Sequence, residues 1–131
     1  MAKLTPYLFS SQAREQADFY INALGGEILS IQTYDEMPDA APDLKGKVMH
    51  LVFEAGGVQF YIADAAKGET NHSSIELVLE YPTVNQARSA FDQLKENGRT
   101  LMPFEKMFWG SYFGRLEDPY GIRWQIASES Q

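Results

Sequence analysis

Residues 57–63 read GVQFYIA, and residues 121–127 read GIRWQIA. Both follow one frame: glycine, apolar, polar, aromatic, a variable position, Ile, Ala. The copies lie 64 residues apart in a chain of 131. The variable position holds Tyr61 in the first copy and Gln125 in the second. Alternation of this kind reads as a half-buried strand. Its recurrence at such a distance implies a structural unit written twice.

Working outward from the twin heptads, each half repeats the same series. The segment 12–26 (QAREQADFYINALGG) places Ala13, Ala17, Phe19, Tyr20, Ile21 and Leu24 near helical spacing, and 84–98 (VNQARSAFDQLKENG) does so with Val84, Ala87, Ala90, Phe91 and Leu94. Gly25 and Gly98 fall where left-handed caps are expected. Strand-like runs surround both helices: 4–9 and 74–81 before them, then 27–34, 47–54 and 57–64 after the first, and 100–107, 111–118 and 121–128 after the second. EAGG (54–57) and EDPYG (117–121) occupy matching places and predict tight hairpin turns. DEMPDAAPDLKG (35–46) is the only long loop. The reading is α+β: a single domain over 1–131 made of paired βαβββ modules, about 4–64 and 74–128. Curled mixed sheets would form a concave cleft, with helices on the outer face. One such module has too few elements to bury its sheet alone, which is why two are expected to pair.

Composition narrows the function classes. At 44% hydrophobic and 22% charged residues the chain is ordinary globular material. No apolar run reaches a membrane-spanning length, and MAKLTPYLF lacks the apolar region of a signal peptide, so a cytoplasmic location is expected. The absence of cysteine removes a disulfide scaffold, a thiolate nucleophile and a thiolate zinc site. A net charge of −7 argues against nucleic acid as a partner and favours a cationic or neutral ligand. GGV at 56–58 has no nucleotide-loop context, and no strand–Gly-rich loop–helix suits S-adenosylmethionine. No basic cluster suits a phosphonate.

TPYLFSSQAREQADFYINALGGEI, VMHLVFEAGGVQFYIAD and WGSYFGRLEDPYGIRWQI together resemble the vicinal oxygen chelate superfamily, which includes glyoxalase I, bleomycin-resistance proteins and extradiol dioxygenases. The combination of DFY, LGG, EDPYG and GIRWQI is most similar to its PhnB-like branch. The resemblance implies half-barrel modules whose first and last strands carry metal ligands, and a homodimer as the usual assembly. Carried onto this chain by spacing from the helices and turns, the four slots fall at Thr5, Tyr61, Ser74 and Gln125. The repeat supports Tyr61 and Gln125 independently. A divalent metal used as a Lewis acid wants imidazole and carboxylate ligands. None stands in these four slots, so no cofactor is expected, and glyoxalase I or dioxygenase chemistry is disfavoured. An atypical divalent metal near His50 or Glu76 is the alternative.

Individual residues carry two readings each. His50 lies mid-strand in VMHLVF and is either a base or ligand near neutral pH or a hydrogen-bonded structural histidine. His72 reads as a solvated loop residue. Glu76 alternates with Leu77 and Leu79 toward the open side of its strand, where an aromatic cavity would raise its pKa and fit it for acid/base work. Tyr7 and Phe9 share one face of the first strand. MFWGSYFG (107–114) adds Phe108, Trp109, Tyr112 and Phe113, of which Trp109 and Tyr112 are expected to line a pocket. Trp124 is expected under a helix. Aromatic surfaces with few polar groups suit a small organic molecule. Two functions stay open. One is a small-molecule-binding protein using Tyr7, Phe9, Tyr61, Trp109, Tyr112 and Gln125 without a metal. The other is a small-metabolite enzyme using His50 and Glu76 as acid/base groups.

Overall fold

The computed structural model describes residues 2–36, 42–65 and 75–129. It falls into two compact units, Met1–Thr70 and Asn71–Gln131. The first runs β1 (Tyr7–Ser10), α1 (Ala13–Leu24), β2 (Gly26–Thr33), β3 (Val48–Ala55) and β4 (Val58–Asp64), with two single-turn 3-10 helices between β2 and β3. The second runs β5 (Leu77–Tyr81), α2 (Val84–Leu94), β6 (Arg99–Lys106), β7 (Tyr112–Glu117) and β8 (Arg123–Ser128). The predicted βαβββ series is present in both, and the twin heptads supply β4 and β8.

Each unit holds one four-stranded mixed sheet, ordered β1-β4-β3-β2 and β5-β8-β7-β6. The first strand of each unit pairs parallel with the last, and the remaining pairs are antiparallel. These are curled α+β sheets with one helix packed on a single face. That face holds the core. In the first unit the Tyr20 ring of α1 lies 6.1 Å from Phe53 and 6.4 Å from Phe60, which stack on each other at 5.0 Å. In the second, Ala87, Ala90, Phe91 and Leu94 of α2 are buried, as are Leu79, Leu116, Trp124 and Ile126 of the sheet. Small alanines on both helices let the backbone approach the sheet closely.

The helix starts are fixed differently. Thr83 caps α2 through its hydroxyl, which accepts the Gln86 N–H at 3.2 Å, a threonine–x–x–glutamine capping arrangement. The residue capping α1, Gln12, gives no side-chain bond; instead Asp64 of β4 accepts the Ala13 N–H at 2.9 Å. The same carboxylate accepts the Val48 N–H at 2.7 Å, so it ties helix, third strand and last strand together. In the second unit Ser128 takes part of that work, accepting the Tyr112 N–H at 3.1 Å.

The expected glycine cap at Gly98 is corrected by the backbone. Asn97, with φ 64°, is the left-handed residue there, as Gly25 with φ 82° is after α1. Asn tolerates that conformation better than most side chains. Gly98 instead corresponds to Gly26. A Cβ at either would collide with a backbone carbonyl, of Glu117 and Glu54 respectively.

Candidate functional site

Because strand side chains alternate, the helix-covered face of each sheet leaves a second, open face. In the first unit Leu8, Leu51, Phe53, Phe60 and Ile62 are buried on the helix side. Tyr7 and Phe9 of β1 point the other way, 43% and 50% exposed, and their rings stack at 4.9 Å. Register places Tyr7 beside Tyr61 and Tyr61 beside Val52. The Tyr7 and Tyr61 rings meet edge to face at 5.7 Å, and the His50 ring lies 5.0 Å from Tyr61. The Tyr7 hydroxyl and His50 Nδ1 are hydrogen-bonded at 3.2 Å, the imidazole tautomer setting which one donates. Four of the residues singled out in the sequence therefore form one surface: Tyr7, Phe9, His50 and Tyr61. Thr5 lies two residues ahead of β1, outside the strand.

The open face of the second unit carries charge instead. Glu76 stands just ahead of β5, with its side chain 17% exposed. Arg115 of β7 donates to it twice, Nε to Oε1 at 3.0 Å and Nη2 to Oε2. Gln125, the cross-strand neighbour of Arg115, donates its Nε2 to Glu76 Oε1 at 3.1 Å. The pair is a side-on, bidentate guanidinium–carboxylate contact, the geometry in which arginine holds a carboxylate best. The expectation of a raised Glu76 pKa is thereby reversed. Hydrogen bonding from the Arg115 guanidinium outweighs burial and, with the Gln125 bond, holds the carboxyl below its ordinary value. Arg115 is shifted the opposite way, by its hydrogen bonds to Glu76.

Register also gives Thr5 a counterpart in the second unit. Tyr7 pairs with Tyr61, and Val78 pairs with Gln125. Thr5 precedes the first residue of α1 by eight positions, as Glu76 precedes the first residue of α2. The counterpart of Thr5 is thus Glu76. Ser74, and with it His72, lies outside the described residues.

Tyr112 is not on the face of Gln125. Its ring stacks on Phe104 at 5.7 Å, and Arg88 of α2 lies 5.7 Å above it, which puts it on the helix side with the bare Gly114. Phe113, one residue on, takes the open side, and the Trp109 ring contacts it at 6.2 Å. Trp109 is 52% exposed and Phe108, beside it in the β6–β7 loop, is 97% exposed. The open-face residues missed by the sequence reading are Arg115 and, as a pocket residue, Phe113. Counting two positions back from Glu117 and then two more would have found both. Trp124 is fully buried, and its indole N–H donates to the buried Asp118 at 2.8 Å.

Two repeated βαβββ units, each with one helix-covered and one open sheet face, define the glyoxalase-type class of small α+β proteins. The family model for the Glyoxalase/Bleomycin resistance protein/Dioxygenase superfamily matches residues 4–126, and the chain belongs to that superfamily. Similarity places it on the PhnB-like branch. It is 29% identical to protein YjdN of Escherichia coli over 94% of this chain and 92% of the relative. It is also 29% identical to the PhnB protein of Bacillus cereus, with a TM-score of 0.81 over 98% of this chain and 100% of that one. Protein PA1353 of Pseudomonas aeruginosa shares the fold with a TM-score of 0.88, covering all of both chains at 24% identity. None of the described helices is long and apolar enough to cross a membrane.

Proposed function

We propose that this superfamily member binds a small organic molecule on an aromatic open face and does so without the metal site usual in its relatives. The observation that carries the reading is the cluster of Tyr7, Phe9, His50 and Tyr61. Half-exposed rings stacked on one another, with a single hydrogen-bonding imidazole and hydroxyl among them, form an apolar surface with a polar handle. Burying such rings in water-excluding contact is how planar ligands gain affinity.

The donor set supports the metal-free half of the reading. Thr5, Tyr61 and Gln125 bring no charge, and both oxygens of Glu76 are already held by Arg115. Among the described residues no group of three His, Cys, Asp or Glu side chains is placed to hold an ion. These residues do not fit a divalent Lewis acid. A cytoplasmic homodimer belongs to the same proposal, by likeness to the superfamily alone.

The test is a thermal-shift screen of small aromatic compounds against chelator-treated protein, followed by Tyr61→Ala and Tyr7→Ala. Stabilisation by a compound should survive chelation and disappear in both variants, whose own unfolding stays near that of the parent because the rings are solvent-facing. Stabilisation that needs added Ni²⁺, Zn²⁺ or Mn²⁺, or that ignores both substitutions, refutes the reading. A second reading, an enzyme with His50 as acid/base group, draws on the Tyr7–His50 hydrogen bond. Glu76 is poorly suited to acid/base work, being held ionised by Arg115. Turnover of a bound compound, lost in His50→Gln while binding persists, would select that reading.

A further inference from the structure

The second unit's open face has chemistry of its own. Arg115 spends Nε and Nη2 on Glu76, and Gln125 spends Nε2 on the same carboxylate. Arg115 Nη1 and Gln125 Oε1 have no hydrogen-bond partner among the described residues, and no buried side-chain nitrogen or oxygen there is left unpaired. The Arg115 side chain keeps 29% of its surface exposed. Arg115 Nη1 and Gln125 Oε1 sit on cross-strand neighbours, so a fixed donor and a fixed acceptor are presented side by side. The Glu76 carboxylate cancels the guanidinium charge, leaving the pair nearly neutral as a whole. On the same face of β7, two residues before Arg115, stands Phe113, with the Trp109 ring against it.

We propose that Arg115, clamped by Glu76, is the specificity residue of the second unit, and that with Gln125 it receives a neutral aromatic carboxamide whose ring lies on Phe113 and Trp109. The carbonyl oxygen accepts from Arg115 Nη1, and the amide N–H donates to Gln125 Oε1. A carboxylate fits less well: it offers Gln125 Oε1 no donor, and it meets both the paired Glu76 and a chain of net charge −7. An ammonium group fits least, having no acceptor for Arg115. The proposal rests on the reading that the open faces take a small molecule, and adds which group is recognised and where. The ion pair is the device that makes it work. A free arginine would swing through many rotamers, whereas one held by two bonds to a carboxylate presents its remaining nitrogen in one place.

The experiment compares benzamide, benzoate and benzylamine as probes, by ligand-observed and ¹⁵N-resolved NMR titration of the whole chain. Benzamide should bind tightest of the three and shift the Arg115 side-chain and Trp109 indole signals. Arg115→Met should weaken benzamide by about tenfold, the range expected for losing a charge-assisted hydrogen bond, and leave benzylamine unchanged. Arg115→Lys keeps the charge opposite Glu76 but loses the fork, so it should fold as the parent does and still lose most of the preference. Tyr61→Ala separates the two readings. If probes bind and respond to Tyr61→Ala but not to Arg115→Met or Arg115→Lys, this inference fails while the aromatic-face reading stands. Benzylamine binding tightest, or no probe binding at millimolar concentration, also overturns it.

Discussion

The two units share strand order, register and helix placement, yet their open faces carry opposite chemistry. Beside the repeat's variable position, the first unit sets rings: Tyr61 lies against Tyr7 and His50. At the same place the second unit sets an ion pair: Gln125 lies against Arg115 and Glu76. The difference costs the fold nothing, because both cores are on the other side of the sheet. There the apolar pattern is retained, Phe60 answering to Trp124 and Ile62 to Ile126. A duplicated module can thus keep its core and let its open faces diverge.

The hairpins between the last two strands sharpen this comparison, since the same turn is built in two ways. In the first unit Gly56 and Gly57, both at positive φ, make a two-residue turn that needs no side chain. In the second, the longer turn is organised by the buried Asp118, which accepts from the N–H groups of Tyr120 and Ile122 and from the Trp124 indole. Asp118→Ala leaves those donors unpaired and should cost about 3 kcal/mol, the largest effect among the features that differ between the two units. Urea unfolding measures it directly. Asp118→Asn, which keeps an acceptor oxygen, should recover part of the loss. A cost below about 1 kcal/mol would mean the turn holds itself, and the contrast with the diglycine turn would collapse.

Where the units are alike, equal costs are expected. Gly26 and Gly98 face the carbonyls of Glu54 and Glu117 too closely for a Cβ. Alanine at either should lose about 2 kcal/mol, as overpacking against backbone cannot be relieved by a rotamer change. A large inequality between Gly26→Ala and Gly98→Ala would show that the repeat is not energetically symmetrical at its strand starts.

Next in size is the ion pair. A double-mutant cycle on Glu76→Gln and Arg115→Met should return a coupling of about 1 kcal/mol, at the upper end for partly exposed pairs because the contact is bidentate. The corresponding cycle on Tyr7→Phe and His50→Gln tests a single hydrogen bond on a more exposed surface, and should give about 0.5 kcal/mol or less. Reversal of that order would mean that the ion pair of the second face is held no more firmly than the single hydrogen bond of the first.

How much of this was legible beforehand depended on what each residue's spacing could encode. The twin frames carry β4 and β8 because glycine, alternation and Ile-Ala are backbone and packing requirements. The shared face of Tyr7 and Phe9 followed from alternation, and Tyr61 from the repeat's variable position together with the resemblance. Arg115 did not, since a charged residue on the open side of a strand reads the same whether it is solvated or clamped. Only the register that brings Gln125 beside it, and Glu76 across from it, distinguishes the two. Tyr112 was misplaced for a related reason. Tyr112 and Phe113 are adjacent rings, so neither marks the face by itself, and the phase had to come from Arg115 and Glu117. The slot given to Ser74 lies outside the described residues, and the position that answers to Thr5 in the structure is Glu76. Counting back from the Thr83 cap, a sharper landmark, reaches Glu76.

The smallest effect concerns acid. Glu76 is held below its ordinary value of 4.5 by the Arg115 bonds, and Glu117 is lowered likewise by its bonds to Arg99 and then Arg123. A carboxyl whose folded pKa lies below its unfolded one contributes stability above the unfolded value and loses it as pH falls through the folded value. Both groups belong to the second unit, and the ring cluster of the first contains no carboxylate. Unfolding followed from about pH 6 to about pH 3 should therefore show an acid limb that is flattened by Glu76→Gln combined with Glu117→Gln. The double variant is less stable at neutral pH, where the ion pairs are intact in the parent, and the two curves converge as acid protonates the parent's carboxyls. Parallel curves would place the acid-sensitive groups elsewhere and remove the electrostatic half of the contrast between the two faces.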